Sequence, residues 1–530
     1  MSDPTPPYGQ QRPDQYGNPQ VPQDPWPTDT VTFGYAQPGG TRQLPYGAEF
    51  GERNPRRRPS RTTIVIALAA VVTLLLGGTA IAGAWVWYGW GATQPEEALP
   101  ATSAVFARID LSPGLGQRLA LDNLAKKFPK DGKSTRDFVE QLKRDLTKQL
   151  GLEPLDYDRD VKPWFADRIG FAAWAKDGAS TDPCGLIAMA SKDDRAAGAA
   201  PRKVRDRKGA EGFGFAFTNG YAVLVECGAA ADSQGTADAA IAAIQRESLA
   251  QHQPFADALA KLPSGQTAVG WADLAAAERT LPSLIGITGR VGSLSTGSGK
   301  GQVILGAKAT GDGVELRYRW SGVSAPQNHR DVLGELGALP GNTTIGAAAD
   351  LYVVRETLGD VERTLGLDEA PDLPASVLRN GVDAILGSVV SIAVSDVGAA
   401  DDNPAVRVVA KAASAAASAD ITELLDALGA RPGQLPPGVA IESSGDRVTV
   451  TAGAYRAADG HLSDRAIYRD AMAGASGTST VAVFVDVARL TASLHLGAKQ
   501  AANIKPLKAV GLTTGYDGDT MVGLVRAIIR

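Results

Sequence analysis

The chain has 530 residues, 44% hydrophobic and 21% charged, with a formal net charge of −5; this length exceeds one ordinary core and implies several units. Six acidic and seven basic residues fall in the first 61 positions, which leaves net −6 spread evenly over the remainder. The absence of a basic stripe argues against nucleic acid as a partner, and the even mixing argues against a strongly anionic surface.

Residues 1–61 are rich in Pro, Gln, Tyr and Gly and poor in aliphatics. Such a segment buries too little apolar surface to offset its ordering entropy, so a disordered cytoplasmic tail is expected. Thr28, Thr30 and Thr32 offer kinase targets within it. Residues 62–90 then read as a transmembrane helix, because Ile64–Trp90 is almost wholly apolar and no charge falls between Thr62 and Pro95. About 20 apolar residues suffice to cross a bilayer, and a signal peptide's apolar core is far shorter. Arg56, Arg57, Arg58 and Arg61 crowd the N-terminal flank, while Trp85, Trp87 and Trp90 form an aromatic belt at the other. The positive-inside bias makes this a single-pass plasma-membrane protein with its N-terminus cytoplasmic and its C-terminal part extracellular. Gly78 and Ala82 form a small-xxx-small pair through which a weak homodimer could pack.

Beyond a stalk at 91–98, the chain reads as module 1 (99–322), a linker (323–338) and module 2 (339–530). In module 1, strands are expected at Ala104–Ile109, Ile169–Trp174, Gly185–Ala190, Thr267–Trp271, Val303–Ala309 and Val314–Trp320. Between them, Phe138, Leu142, Leu146 and Leu150 form a four-residue stripe that predicts a helix over Asp137–Leu150. Asn219-Gly220 signals a tight hairpin, and helices follow near Thr236–Ile244, Pro254–Leu262 and Leu274–Leu281. Hairpins interleaved with helices imply an α+β class with antiparallel sheets and helices on one face. Cys184 and Cys227 fall at the ends of strand-like runs in one small region, and an external compartment permits a disulfide between them.

The two modules are related. Ser248–Ala275 aligns without gaps to His461–Ala488, Leu99–Leu111 to Leu339–Leu351, and the turn at Asp312 to that at Asp517. Three matches in one order mean a duplication, with offsets of 240, 213 and 205 residues.

The run EEALPATSAVFARIDLSPG, with Lys127-Phe128-Pro129, Asp160-Val161-Lys162-Pro163-Trp164, Asp167-Arg168 and SLAQHQPFADALAKL, resembles an actinobacterial membrane-anchored envelope family, domain of unknown function 3352. Phe165-Ala166 departs from the Leu-Gly of that pattern. The resemblance spans roughly Pro95 to the C-terminus and implies anchorage and an external α+β domain, with no chemistry attached.

No motif supplies a catalytic, cofactor-binding or metal centre. His252, His329, His461 and His495 are scattered without ligand spacing and do not recur between the modules. Gly292–Gln302 lacks the spacing and the hydroxyl of a phosphate loop. Asp156, Asp158, Asp160 and Asp167 have calcium-loop spacing, but Val161 stands where the loop needs glycine; a capped turn paired to Lys162 or Arg168 is expected instead. Asp110, Asp273, Asp350 and Asp486 each follow a strand and read as helix caps. The expectation is a non-catalytic binding or scaffolding protein with a lipid bilayer and an envelope lipid or protein as partners. The alternatives are an apolar-ligand or lipid carrier, an envelope hydrolase, and a sensor with a phosphorylated tail.

Overall fold

The computed structural model describes residues 93–128, 155–176, 183–227, 232–280, 301–323, 325–353, 374–395, 405–427, 439–453, 458–475, 477–493 and 498–530, with isolated positions between them. The tail, the apolar span with its flanking Arg56, Arg57, Arg58, Arg61, Trp85, Trp87 and Trp90, and the Gly78–Ala82 pair lie outside the described residues, as does most of the Gly292–Gln302 loop. Among the described residues no helix is long and apolar enough to cross a membrane.

Eight strands come from the first half: β1 (Val105–Asp110), β2 (Phe165–Trp174), β3 (Cys184–Ser191), β4 (Gly214–Thr218), β5 (Tyr221–Glu226), β6 (Ala268–Asp273), β7 (Gln302–Thr310) and β8 (Gly313–Ser321). Eight more come from the second: β9 (Ile345–Asp350), β10 (Val389–Ser395), β11 (Ala405–Lys411), β12 (Ala440–Ser444), β13 (Arg447–Ala452), β14 (Thr478–Asp486), β15 (Leu507–Asp517) and β16 (Thr520–Ile529). From its outer edge inward the first half runs β4-β5-β3-β2-β1-β6-β7-β8, and the second runs β12-β13-β11-β10-β9-β14-β15-β16. The second order repeats the first strand for strand. Antiparallel pairing of β8 with β16, from Gly313 opposite Ile528 to Ser321 opposite Thr520, fuses the halves into one 16-stranded sheet. Two separate sheets would each have left that edge open, and an unpaired edge is a liability that pairing removes.

Charge tightens the joint. Arg319 reaches Asp517 at 3.0 Å and Arg526 reaches Asp312 at 3.1 Å, so each half's arginine holds the hairpin of the other. The hairpins also correct one alignment offset: Thr310 faces Gly313 as Asp517 faces Thr520, which pairs the turns at 207 residues and matches Asp312 with Asp519.

Helices cover both faces, where one was expected. Along β5 the side chains of Tyr221, Val223 and Val225 enter one core, with Ala237 and Ala240 of the helix Ser233–Arg246. Ala222 and Leu224 enter the opposite core, with Leu121 and Leu124 of Leu115–Ala125 and Ala197 and Val204 of Asp194–Lys208. The last two helices escape a sequence reading for different reasons: Leu115–Ala125 spans only 11 residues and Asp194–Lys208 is Ala- and Arg-rich with Pro201 inside it, so neither carries a clear apolar period. Of the expected helix over Asp137–Leu150, the described positions are helical. Asn219 (φ 50°) and Gly220 (φ 76°) both adopt the left-handed conformation of the tight hairpin turn. At the outer edge, the Gln234 side chain accepts from Phe215 N at 3.2 Å and donates to Phe215 O at 3.0 Å, closing β4 against further pairing.

The stalk and the linker belong to the fold. Pro95–Ala98 form a 3₁₀ turn docked on the sheet, with Glu96 paired to Arg108 and Ala98 and Leu99 fully buried. Thr93 O accepts from Tyr221 Oη at 2.7 Å, and Asn219 Nδ2 donates to Glu97 O at 2.7 Å. Leu333–Gly337, within the expected linker, is a helix whose Leu336 packs in the core of module 2 with Val332, Phe484 and Ala348. Both corrections have one cause: apolar positions spaced among Gly, Pro and acids read as connectors until the sheet surface they cover is known.

Candidate functional site

The duplication supplies an internal control, because each module builds the same corner. Leu249 N donates to Leu99 O at 2.8 Å in module 1, and Leu462 N to Leu339 O at 2.6 Å in module 2. Ser103 Oγ bonds Pro100 O at 2.8 Å, and Thr343 Oγ1 bonds Pro340 O at 2.7 Å. Isolated bridges join Pro100 to Ser248 and Pro340 to His461. An aromatic pair meets edge-on beneath each, Phe255 with Trp271 at 5.6 Å and Tyr468 with Phe484 at 5.4 Å.

On this shared backbone the side chains diverge. In module 1 the corner is filled: Phe255 packs on Phe106 and Trp271, and the Glu97 side chain turns back to accept from Gln94 N at 2.9 Å. In module 2 the counterparts of Gln94 and Glu97 are Gly334 and Gly337, and a hollow of about 470 Å³ opens there. Leu333, Ala338 and Met472 give it apolar walls, while His461, Ser463 and Tyr468 bring polar atoms to it. Their module 1 counterparts are Ser248, Ala250 and Phe255, so the hydroxyls of Ser463 and Tyr468 are particular to this half. A side chain begun at Gly337 would lie 3.6 Å from Tyr468 Oη and 3.7 Å from Ser463 Oγ, so the two hydroxyls converge on the gap that glycine leaves. Tyr468 is 6% exposed. Burial, and secondarily the carboxylate of Asp331, pushes its phenol up to about 12, so it stays a neutral hydroxyl. His461 Nδ1 lies 3.3 Å from Ala338 O. His461, which has no counterpart histidine in module 1, is exposed and borders the hollow; its signal was the very failure to recur between the modules.

Glu335 braces the helix that forms one wall. Burial pushes its carboxyl up, but hydrogen bonds from Arg447 and Lys411, both about 2.9–3.0 Å away, overcome that and hold it below its ordinary value of 4.5. A depressed carboxyl stabilises the fold above its unfolded pKa, and that contribution disappears as pH falls through the folded value. Glu335→Gln is therefore expected to lower stability by about 1 kcal/mol at neutral pH, the exposure of both partners limiting the effect. The difference from wild type should shrink below the ordinary glutamate value and vanish once the folded-state carboxyl is protonated, as followed by urea unfolding across pH.

The other sequence candidates are held by bases or by backbone. Asp156 accepts from Arg159 N at 2.9 Å and caps the turn Tyr157–Val161. Asp158 pairs with Arg144 and Lys162, Asp160 with Arg159 and Lys203, and Asp167 with Lys143. The Arg159 hydrogen bond, aided by Lys203 and the Asp156 N–H, holds Asp160 far below the usual carboxylate range. These carboxylates point to separate partners, and among the described residues no three metal-ligating groups converge. Of the strand-end aspartates, Asp273 and Asp486 cap helices through Ala276 N (2.8 Å) and Arg489 N (3.0 Å). Asp350 also precedes helical residues, 351–353, and accepts from Tyr352 N at 3.3 Å while facing Arg330; Asp110 caps no helix, holding a turn and facing Arg168. Arg168 meets Asp110 at 3.5 Å and donates to Thr93 O at 3.3 Å. Cys184 and Cys227 form a disulfide across adjacent strands β3 and β5, with Cα atoms 4.3 Å apart. His495 lies outside the described residues.

Residues 68–285 match the family described as "Protein of unknown function (DUF3352)". The match starts inside the apolar span and takes in module 1 through the helix Leu274–Thr280. No curated protein matches the chain. A solved structure described as crystal form I of TP0453 is 7% identical, covering 45% of this chain and 83% of its own, with a TM-score of 0.24; a likeness at that level carries no argument.

Proposed function

We propose that the chain is a single-pass, membrane-anchored extracytoplasmic protein that binds its partner without transforming it. The observation that carries this reading is the hollow of module 2, where the hydroxyls of Ser463 and Tyr468, without hydrogen-bond partners among the described residues, border apolar walls, the usual make-up of a small-molecule site. No hydrogen bond joins His461 to Ser463, so the nucleophile–base contact of an acyl-transfer centre is not made. The carboxylates considered above as acids or bases are held by arginine, lysine or backbone N–H groups, which suits structure better than proton transfer. External placement draws on the arginine cluster before the apolar span and on the disulfide, which persists in oxidising compartments.

Two measurements test the reading. Protease added to intact protoplasts should remove everything beyond residue 92 and spare residues 1–61; survival of the modules would refute external placement. Native mass spectrometry of the full chain, extracted with its own lipids, should show a small molecule retained at defined stoichiometry. Turnover of that molecule during incubation would instead favour the hydrolase alternative.

The docked stalk adds a geometric expectation. Thr93 is fixed to β5 through Tyr221, and only residues 91 and 92 separate it from Trp90. Three Cα–Cα steps span at most about 11 Å, so the Asn219-Gly220 turn should lie against the lipid headgroups. A fluorophore on Lys192→Cys, whose neighbour Ser191 bonds Gly220 O at 2.8 Å, should be quenched by headgroup-labelled lipid. Ten flexible residues inserted between Ala92 and Thr93 should relieve the quenching; no change on insertion would show that the stalk does not set the orientation.

A further inference from the structure

We infer that the hollow of module 2 takes a neutral single-chain amphiphile, an apolar tail carrying one hydroxyl-bearing head group; this assignment rests on the binding reading above. Leu333, Ala338 and Met472 supply contact for the tail and no hydrogen bonds. At about 470 Å³ the space falls within the range of small-molecule sites, roughly 300–1,000 Å³. Tyr468 is 6% exposed as a residue, and its Oη, without a hydrogen-bond partner among the described residues, opens on the hollow. Ser463 Oγ converges with it on the space above Gly337. A ligand group that bonds there replaces water at a hydroxyl whose ring is already packed in an apolar core. Two hydroxyls can each donate and accept, so they suit a head group that does both, which an alcohol is.

Charge sets the head group's ionisation. Asp331, whose field reaches Tyr468, accepts only from Leu333 N at 3.2 Å. Asp464 accepts from His461 N at 2.7 Å. Among the described residues neither carboxylate has a cation partner, and the nearby Arg469 guanidinium is committed to the carbonyls of Ser463 and Asp464. A carboxylate or phosphate head would enter beside uncompensated negative charge. The pattern is particular to module 2, since module 1 has Phe255, Ala250 and Glu97 at the corresponding positions.

The test is photoaffinity labelling of the full chain in phosphatidylcholine nanodiscs with a decan-1-ol bearing a mid-chain diazirine, mapped by peptide mass spectrometry. Labelling is expected in 333–338 and 463–472, suppressed by excess decan-1-ol and at least tenfold less by decanoate. Gly334→Leu should abolish it without loss of thermal stability, because nothing lies within 4 Å of a side chain's first atom there. Tyr468→Phe should weaken competition by decan-1-ol by up to about tenfold, the worth of one hydrogen bond. It should leave competition by decyl methyl ether unchanged. Labelling that persists in Gly334→Leu, or that decanoate and decan-1-ol suppress equally, would overturn the assignment. Labelling confined to residues 62–90, while native mass spectrometry still finds a retained molecule, would overturn this site and leave the binding reading standing.

Discussion

Replacing Cys184 and Cys227 together by alanine is expected to lower the unfolding free energy of module 1 by up to about 4 kcal/mol. The bridge closes a loop of 43 residues, and in the chain-entropy account a loop of that size restricts the unfolded chain by roughly this amount. The figure is an upper bound, because β3 and β5 pair directly from Gly185 opposite Glu226 to Ala190 opposite Tyr221 and keep their ladder without it. Alanine is the informative substitution, since both cysteines are buried and serine would add unpaired hydroxyls. Module 2 has the same strand order with no cysteine, so the fold itself should survive. Hydrogen exchange gives the localised readout: protection should fall in β3, β5 and the helix Ser233–Arg246 and stay unchanged in β10, β11 and β13. An equal loss in both halves would mean that the sheet opens as one cooperative unit through the β8–β16 joint.

Local chemistry was readable from the sequence wherever one residue type forces a conformation. Asn219-Gly220 had to turn, and the alternating apolar runs around it had to be strands. The duplication was readable too, because Asp273 and Asp486 sit in a gapless match. What the sequence withheld was contact across long separations. Nothing in Val323–Ala338 announces that Leu336 will pack under β9 and β14, and nothing in GVELRYR shows that it will pair with the last strand of the chain. The second helical layer was missed because β2 and β3 are apolar on both faces, and such strands show no alternation to reveal that both are covered. The hollow was visible only as a difference between copies. Tyr468 for Phe255, Ser463 for Ala250 and Gly337 for Glu97 are unremarkable singly, and they acquire meaning once the shared corner brings them together.

Asp350→Ala is expected to cost about 3 kcal/mol, whereas Asp110→Ala, at the same position of the other copy, should cost about 1 kcal/mol. Sequence alone makes the two equal, as capping residues that asparagine could replace. The structure separates them. The Asp350 side chain is 0% exposed and accepts from Arg330 N at 2.6 Å, Arg330 Nη2 at 2.9 Å and Tyr352 N at 3.3 Å. Alanine would strand two backbone donors and leave the guanidinium only its bond to Gly387 O. The cost lies in the backbone donors Arg330 N and Tyr352 N, which lose a fully buried acceptor, since the Arg330 guanidinium is itself about a third exposed and can turn to water. Asp110 is 18% exposed, accepts from Ser112 N at 2.8 Å, and meets Arg168 at 3.5 Å; water can take over part of its role. Asparagine should rescue Asp110 almost fully, since one amide oxygen suffices for the turn. At Asp350 its amide nitrogen would face donors, so at least half of the alanine penalty should remain. Urea unfolding of the four variants decides the matter. Equal losses for Asp350→Ala and Asp110→Ala would mean that these backbone donors find new partners, and that the burial of this carboxylate does not govern its worth.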